Sequence, residues 1–240
     1  MTRVKVRRVV TTRAGGVSKP PFDAFNLADH VGDDPQAVAR NRERLAEHVG
    51  YRPDRLVWME QVHSRNVAVV DAPQAGPLEA TDAVVTTTVD LPLVVLTADC
   101  VPLLLSDDEA GVIAAVHAGR VGARVGIVPR VLDAMVAAGA HVERIGAFLG
   151  PAACGRHYEV PPAMQADVAE HLPGSATVTL RGSTGLDIRA GLRRQLLTAG
   201  VAAVAEDPRC TIEDTTLFSH RRQSPTGRLA SVIWMETIAD

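Results

Sequence analysis

LTADCVPLLLSDDEAGVIAAVHAG, residues 96–119, holds two apolar runs, VPLLLS (101–106) and GVIAAV (111–116), on either side of Asp107-Asp108-Glu109-Ala110. Short apolar runs joined by a brief polar segment read as a β-hairpin. Pairing the two strands about that turn sets Cys100 roughly opposite His117 or Ala118. Opposed residues have Cβ atoms about 4.5–5.5 Å apart, close enough to share one metal ion or one proton. A third histidine, His63 in WMEQVHS, also follows a strand-like run. One thiolate and two imidazoles suit zinc, and three protein ligands leave a fourth position for water or substrate. A cysteine after a buried strand also serves as a small hydrophobe, and a strand-end histidine as a satisfied polar group. The hairpin pairing singles out Cys100 and His117 from that reading. The other six histidines, His30, His48, His141, His157, His171 and His220, read as ordinary surface residues.

Outward from the hairpin, LPLVVLTA (91–98) and DAVVTTT (82–88) are further buried-looking strands, and LVWMEQV and NVAVV lie before them. APQAGPLEA (72–80) is turn-rich. Asp34-Pro35 is a helix start, with Asp34 as N-cap and Pro35 in the first turn, and Gly50 suits the stop. VGARVGIVPRVLDAMVAAG (121–139) carries helical spacing up to Gly139. PAMQADVAEHL (162–172) and LDIRAGLRRQLLTAG (186–200) read as helices, the second with Leu192, Leu196 and Leu197 inward. IGAFLG (145–150) and VIWME (232–236) are short strands, and Arg3-Val4-Lys5-Val6-Arg7 alternates like an exposed one. The order is too irregular for repeated βαβ units. It predicts a mixed α/β fold with helices outside the sheet rather than a doubly wound parallel sheet.

A chain of 240 residues buries about 70–75% of its unfolded surface in one core. No Ser/Gly-rich or charged linker divides it, so residues 1–240 read as a single domain. Asp90, Pro92, Asp99 and Pro102 break the longest apolar stretch, which excludes a membrane helix there. No signal peptide is evident. Three widely spaced cysteines predict a reducing, cytoplasmic setting rather than a disulfide framework. A net charge of −3 with interspersed signs, and 3% aromatic residues, argue against nucleic-acid binding. Arginine outnumbers lysine 23 to 2, a skew attributed to genomic base composition.

Two segments are candidate anion sites. Thr11–Ser18 sets Arg13 beside Gly15 and Gly16, and His117–Arg124 follows His117 with Gly119, Arg120, Gly122 and Arg124. Glycine frees backbone N–H groups to face an anion, and arginine donates in a bidentate fork. Each also reads as a plain turn with a solvated arginine. Neither matches a phosphate-binding loop or dinucleotide fingerprint. Ser219-His220-Arg221-Arg222 is either a partner patch or a solvated basic run. Cys154 and Cys210 read as structural, with Cys154 at a cleft edge.

Several motifs, in order, resemble one family: TTRAGGVS, FNLADHVGDDPQAVARNRERL, WMEQVHS, TDAVV, LTADCVPLLL, VHAG, LGPAACGRHYEV, Cys210-Thr211 and FSHRR with TGR. The chain is similar to the laccase-domain, or multicopper polyphenol oxidoreductase, family. That family is also called peptidoglycan editing factors and assigned as purine nucleoside phosphorylases with adenosine deaminase activity. The resemblance implies a single-domain four-layer α/β/β/α sandwich with mixed sheets. It places zinc ligands on His63, Cys100 and His117, the trio reached above. Arg13, Asn26, Arg42 and Arg120 are the candidate substrate-binding residues. One departure concerns the segment after His-Ala-Gly, where the family's Trp-Arg-Gly is replaced by Arg120-Val121-Gly122; either Arg120 or Arg124 takes the role of the displaced arginine.

Copper oxidation of phenols fits the composition poorly, because a multicopper oxidase needs about ten histidines in paired arrangements, whereas this chain has eight and no His-x-His pair. Copper remains a possible occupant of a Cys/His₂ site. Deamination by zinc-activated water needs a proton carrier, for which Asp99 is the candidate by position. Phosphorolysis needs an anion pocket. The substrates expected are thus a nucleoside and phosphate, with no nucleic acid, membrane or obligate protein partner. A Cys100–His117 pair acting as nucleophile and base on an amide of a cell-wall precursor is the alternative enzyme, and a non-catalytic binding module is a third class.

Overall fold

The computed structural model describes residues 4–237. In chain order the first half forms β1 (Val4–Val10), α1 (Pro35–Val49), β2 (Val67–Val69), β3 (Ala83–Thr86), β4 (Leu93–Thr97), β5 (Val101–Asp107) and β6 (Val112–Ala118). Then come α2 (Arg120–Arg124), α3 (Ile127–Ala137), β7 (Gly146–Leu149), α4 (Pro162–His171), β8 (Ala176–Val178) and β9 (Thr184–Leu186). The chain ends with α5 (Ile188–Thr198), β10 (Ala203–Glu206) and β11 (Leu229–Thr237).

Two sheets pack face to face. One has three antiparallel strands in the order β1-β11-β4. The other has six in the order β10-β7-β5-β6-β3-β2 and is mixed, parallel at β10/β7 and β2/β3 and antiparallel elsewhere. Side chains on β5 alternate, as strand geometry requires. Leu104 joins Ile113, Ala115, Leu93, Val95, Ile233 and Met235 between the sheets. Leu103 and Leu105 point the other way, onto a core shared with Ile127, Val131 and Met135 of α3 and Leu192 and Leu196 of α5. Burial on both faces explains why these strands are unbroken apolar runs. Beyond the three-stranded sheet, Leu45, Ala46 and Val49 of α1 pack on Val94, Leu96, Val232 and Trp234. The layers are therefore α/β/β/α, as expected.

Helix α1 begins and ends where its signals lie: the Asp34 carboxylate accepts from the Gln36 N–H at 2.9 Å, and Gly50 closes the helix in the left-handed region at φ 83°. Val4 and Val6 of β1 face the inter-sheet core while Lys5 and Arg7 are exposed; Arg3 lies outside the described residues.

Four details differ from the sequence reading. The stretch 121–139 is two helices, because Gly126 takes φ 87° and turns the chain. Leu197 is not inward; it is 45% exposed, on the outer face of α5. Residues 56–62 form no full strand, only single bridges from Val57 to Leu93 and Met59 to Leu78. The hairpin register is displaced by about one residue: Val101 opposes Ala118 and Pro102 opposes His117, so Cys100 lies just past the last pair.

Candidate metal centre and cleft

Cys100 sits where the chain leaves one sheet for the other. β4 ends at Thr97 in the three-stranded sheet and β5 starts at Val101 in the six-stranded one. Asp99, at φ 90°, makes the turn between them. Left-handed backbone is costly for a residue with a Cβ and clusters at functional sites. His117 is near the end of β6, and His63, at φ 59°, comes from the loop before β2. The gathered ligand atoms of His63, Cys100 and His117 all lie within 4.8 Å of one another. Cys100 Sγ is 3.8 Å from His63 Nε2, and the two imidazoles meet edge to face at 4.7 Å between centroids.

One buried carboxylate orients this group. Asp82 has no exposed surface. It accepts from the backbone N–H groups of Val62 (3.2 Å), His63 (3.0 Å) and Ser64 (2.6 Å), and from the Ser64 hydroxyl at 2.7 Å. It also accepts from His117 Nδ1 at 2.8 Å. That contact leaves His117 Nε2 free to ligate, the carboxylate–histidine arrangement typical of metal sites. Gly119 completes the fit: a Cβ there would stand 2.8 Å from His63 Cδ2 and 2.9 Å from Cys100 Sγ.

The charges agree with the donor set. Burial opposes ionisation of Asp82, but hydrogen bonds from His117 and Ser64 outweigh it and hold the carboxyl at about 2. Burial likewise opposes charge on Cys100, yet His117 and then His63 bring its thiol down to about 6. His117 moves the opposite way, to about 9: burial disfavours its charge, and Cys100 and Asp82 overcome this. A thiolate held between two imidazoles, one backed by a carboxylate, is a donor set that fits a metal ion with a position left open.

The trio lines a cleft of about 330 Å³ together with Gln61, Asp99, Arg120, Tyr158, His220, Arg221 and Arg228, over apolar Leu96, Ala98 and Ile188. Asp99 Oδ1 accepts from the Thr211 hydroxyl and Oδ2 from the Arg221 N–H, both at 2.6 Å. Of the two arginines able to replace the displaced family residue, Arg120 lines the cleft, whereas Arg124 forms a bidentate pair with Asp167 on α4. Three sequence candidates lie elsewhere. Arg13 pairs with Asp23 and stands over the Phe218 ring. Asn26 is fully buried, tied to Ala28, Asp33 and the Arg228 N–H. Arg42 pairs with Asp29 and covers Trp58. All three hold the loops behind the cleft wall and do not line it. Sequence reasoning missed Asp82, Gln61 and Arg228, and left His220 and Arg221 as either a partner patch or a solvated run. Asp82 carried a signal, a carboxylate directly before the apolar run Ala83-Val84-Val85.

The sequence profile described as "multi-copper polyphenol oxidoreductase laccase" matches residues 7–236. The chain belongs to that family. Among similar members, a Mycobacterium tuberculosis (strain CDC 1551 / Oshkosh) protein named purine nucleoside phosphorylase is 58% identical over 233 residues, covering 97% of this chain and 93% of its own length. A Corynebacterium glutamicum protein with the same name is 61% identical over 232 residues, covering 96% and 94%. Two solved structures share the fold of this chain. YlmD from Geobacillus stearothermophilus superposes with TM-score 0.89 at 31% identity, covering 95% of this chain and 91% of that one. A Neisseria meningitidis protein assigned to DUF152 gives 0.87 at 34%, covering 96% and 94%. Among the described residues no helix is long and apolar enough to cross a membrane.

Proposed function

We propose that this chain is a zinc-dependent purine nucleoside phosphorylase acting on adenosine, inosine and methylthioadenosine, with adenosine deaminase activity at the same centre. The observation that carries the reading is one cleft in which His63, Cys100 and His117 share walls with Arg120, His220, Arg221 and Arg228. A metal-ligating trio beside several cationic side chains suits a substrate pair made of a nucleoside and an anion. The names of the relatives cited above point the same way.

When bound, zinc supplies Lewis acidity and charge stabilisation at the position the trio leaves open. His63, Cys100 and His117 would hold it, with Asp82 fixing the His117 tautomer. Arg120, Arg228 and His220 provide donors for phosphate, and Leu96, Ala98, Ile188 and Tyr158 provide the apolar and aromatic surface a base requires. Phosphorolysis joins a phosphate oxygen to C1′ of the ribose while the C1′–N bond breaks, and the base leaves with a proton. Asp99 is held by Thr211 and Arg221, but a carboxylate has about four acceptor positions. It is therefore fixed rather than blocked, and can carry a proton from the water whose oxygen joins C6 of the adenine ring to the amino group that leaves C6 as ammonia.

Product analysis by mass spectrometry tests this. Zinc-loaded protein is given adenosine or inosine with and without phosphate, beside Cys100→Ala and His117→Ala. Phosphate-dependent base and ribose 1-phosphate, lost in both variants, are expected, with inosine formed from adenosine whether or not phosphate is present. Absence of turnover by the unaltered protein would overturn the proposal.

The low thiol and high imidazole values of Cys100 and His117 favour one second reading, an amide hydrolase using Cys100 as nucleophile. One zinc equivalent that Cys100→Ala loses, together with chelator-sensitive activity, would exclude it, since a metal-bound thiolate is quenched. Copper oxidation of phenols is disfavoured. Among the described residues the candidate ligand clusters contain His63 and His117 in one and His157 in the other, far from the histidine count of a multicopper centre.

A further inference from the structure

Cys154 and Cys210, which the proposed chemistry does not use, are neighbours. We infer that Cys154, His157, Cys210 and Glu213 form a second, structural site for a thiolate-seeking divalent ion such as Zn²⁺, distinct from the cleft trio. Candidate ligand atoms of these four residues all lie within 4.8 Å of one another. They come from two turns of matching form. Cys154 to His157 closes with the His157 N–H donating to the Cys154 carbonyl at 3.0 Å, and Cys210 to Glu213 closes with the Glu213 N–H donating to the Cys210 carbonyl at 3.1 Å. Each turn presents its first and fourth side chains to the same point, the two-residue ligand spacing found in structural zinc sites. The turns are joined by a bridge between Ala152 and Cys210.

The surroundings suit a charged sulfur centre. The Cys154 N–H points at Cys210 Sγ at 3.3 Å, a donor placed for a thiolate. Cys154 Sγ is 3.5 Å from His157 Nδ1, and Glu213 Oε1 is 3.7 Å from His157 Nε2. The other Glu213 oxygen accepts from Arg156 at 2.7 Å, an outer contact of the kind that orients a ligating carboxylate. Two thiolates select a d-block ion over Mg²⁺ or Ca²⁺, and four protein ligands leave no position open for substrate. Binding would release the protons of the two thiols. An open cavity lined by Arg156, His157 and Ile212 provides a route in.

The position gives the ion a task. Ala153 and Tyr158, flanking the first turn, line the catalytic cleft, and Thr211 in the second turn donates to Asp99. An ion here would tie two cleft walls together.

Metal content and cobalt spectra of the whole protein, prepared under reducing conditions, test the inference. The expected result is two equivalents of zinc per chain in the unaltered protein and one in Cys100→Ala. Cobalt-loaded Cys100→Ala should retain a sulfur-to-cobalt charge-transfer band that Cys154→Ser with Cys210→Ser removes. If that double variant fails to fold, His157→Ala and Glu213→Gln should each weaken the affinity of the Cys100→Ala protein for zinc at least tenfold in chelator competition. Metal-free Cys100→Ala protein would overturn the inference, as would a Cys154–Cys210 disulfide in reductant-prepared material.

Discussion

Asp82 accepts from three backbone N–H groups, a hydroxyl and an imidazole, so one carboxylate holds both the His63 loop and the His117 ring. Asp82→Asn keeps the shape but puts an amide nitrogen among donors. Metal affinity should fall about 10–100-fold, as for other outer partners of ligating histidines, and stability by about 1–3 kcal/mol. Chelator competition and denaturant melts measure the two effects; an unchanged affinity would remove Asp82 from the site. Because the folded value of Asp82 is depressed to about 2 from 3.8, its stabilising contribution is complete above about pH 4 and is lost as pH falls through 2. Cys100 gives a second pH signature. With its thiol at about 6 in the metal-free protein, the rate of alkylation by iodoacetamide should fall below pH 6 and be flat from pH 7 to 9. An ordinary thiol would still be gaining rate near its value of about 8.5, and such a profile would refute the thiolate–imidazolium pair.

At the scale of elements, the junction from β6 into α2 has to stay bare. Gly119 has φ −74° and ψ 170°, a conformation any residue adopts. Alanine there costs nothing in backbone strain, yet its Cβ would press on His63 and Cys100 at under 3 Å. Gly119→Ala should therefore melt within a few degrees of the unaltered protein while losing metal affinity and activity by more than tenfold. Retention of full metal content would show that the trio has slack. The same segment shows what the sequence made legible. β5 and β6 are buried on both faces, so their apolar runs and the turn between them stood out and brought Cys100 near His117. The displacement followed because the turn lies one residue later than the polar segment suggested: Asp107 belongs to β5 and pairs with Val112, and Gly111 belongs to the turn. β8 and β10 are short and mostly exposed, with no apolar pattern to mark them. Gly126 was hidden within apolar spacing that continues across the α2–α3 break.

Across the whole molecule, the cleft opens where the two sheets diverge, and one wall is irregular chain. Residues 210–222 contain no strand or helix, yet they deliver His220 and Arg221. No local pattern announces such a wall, which is why Arg221 read only as part of a partner patch or a solvated run. Its order comes from Arg222, whose guanidinium donates to the carbonyls of Thr211, Ile212, Asp214 and Leu217, and from Asp99, which grips Thr211 and Arg221 across the sheet junction. Arg222→Ala leaves those carbonyl oxygens without their donor, at about 1–3 kcal/mol for each group that stays dry. The strain falls on the loop rather than on the sheets. For the proposed phosphorolysis the expected outcome is a KM for inosine raised about tenfold or more, with the alkylation profile of Cys100 unchanged, because its thiol is set by His117 and His63, which Asp82 holds. Arg222→Lys should not restore KM, since a single ammonium cannot reach carbonyls spread around a planar fork. If KM stays constant while global stability falls, the loop is a structural clasp and the substrate is held by Arg120 and Arg228 alone.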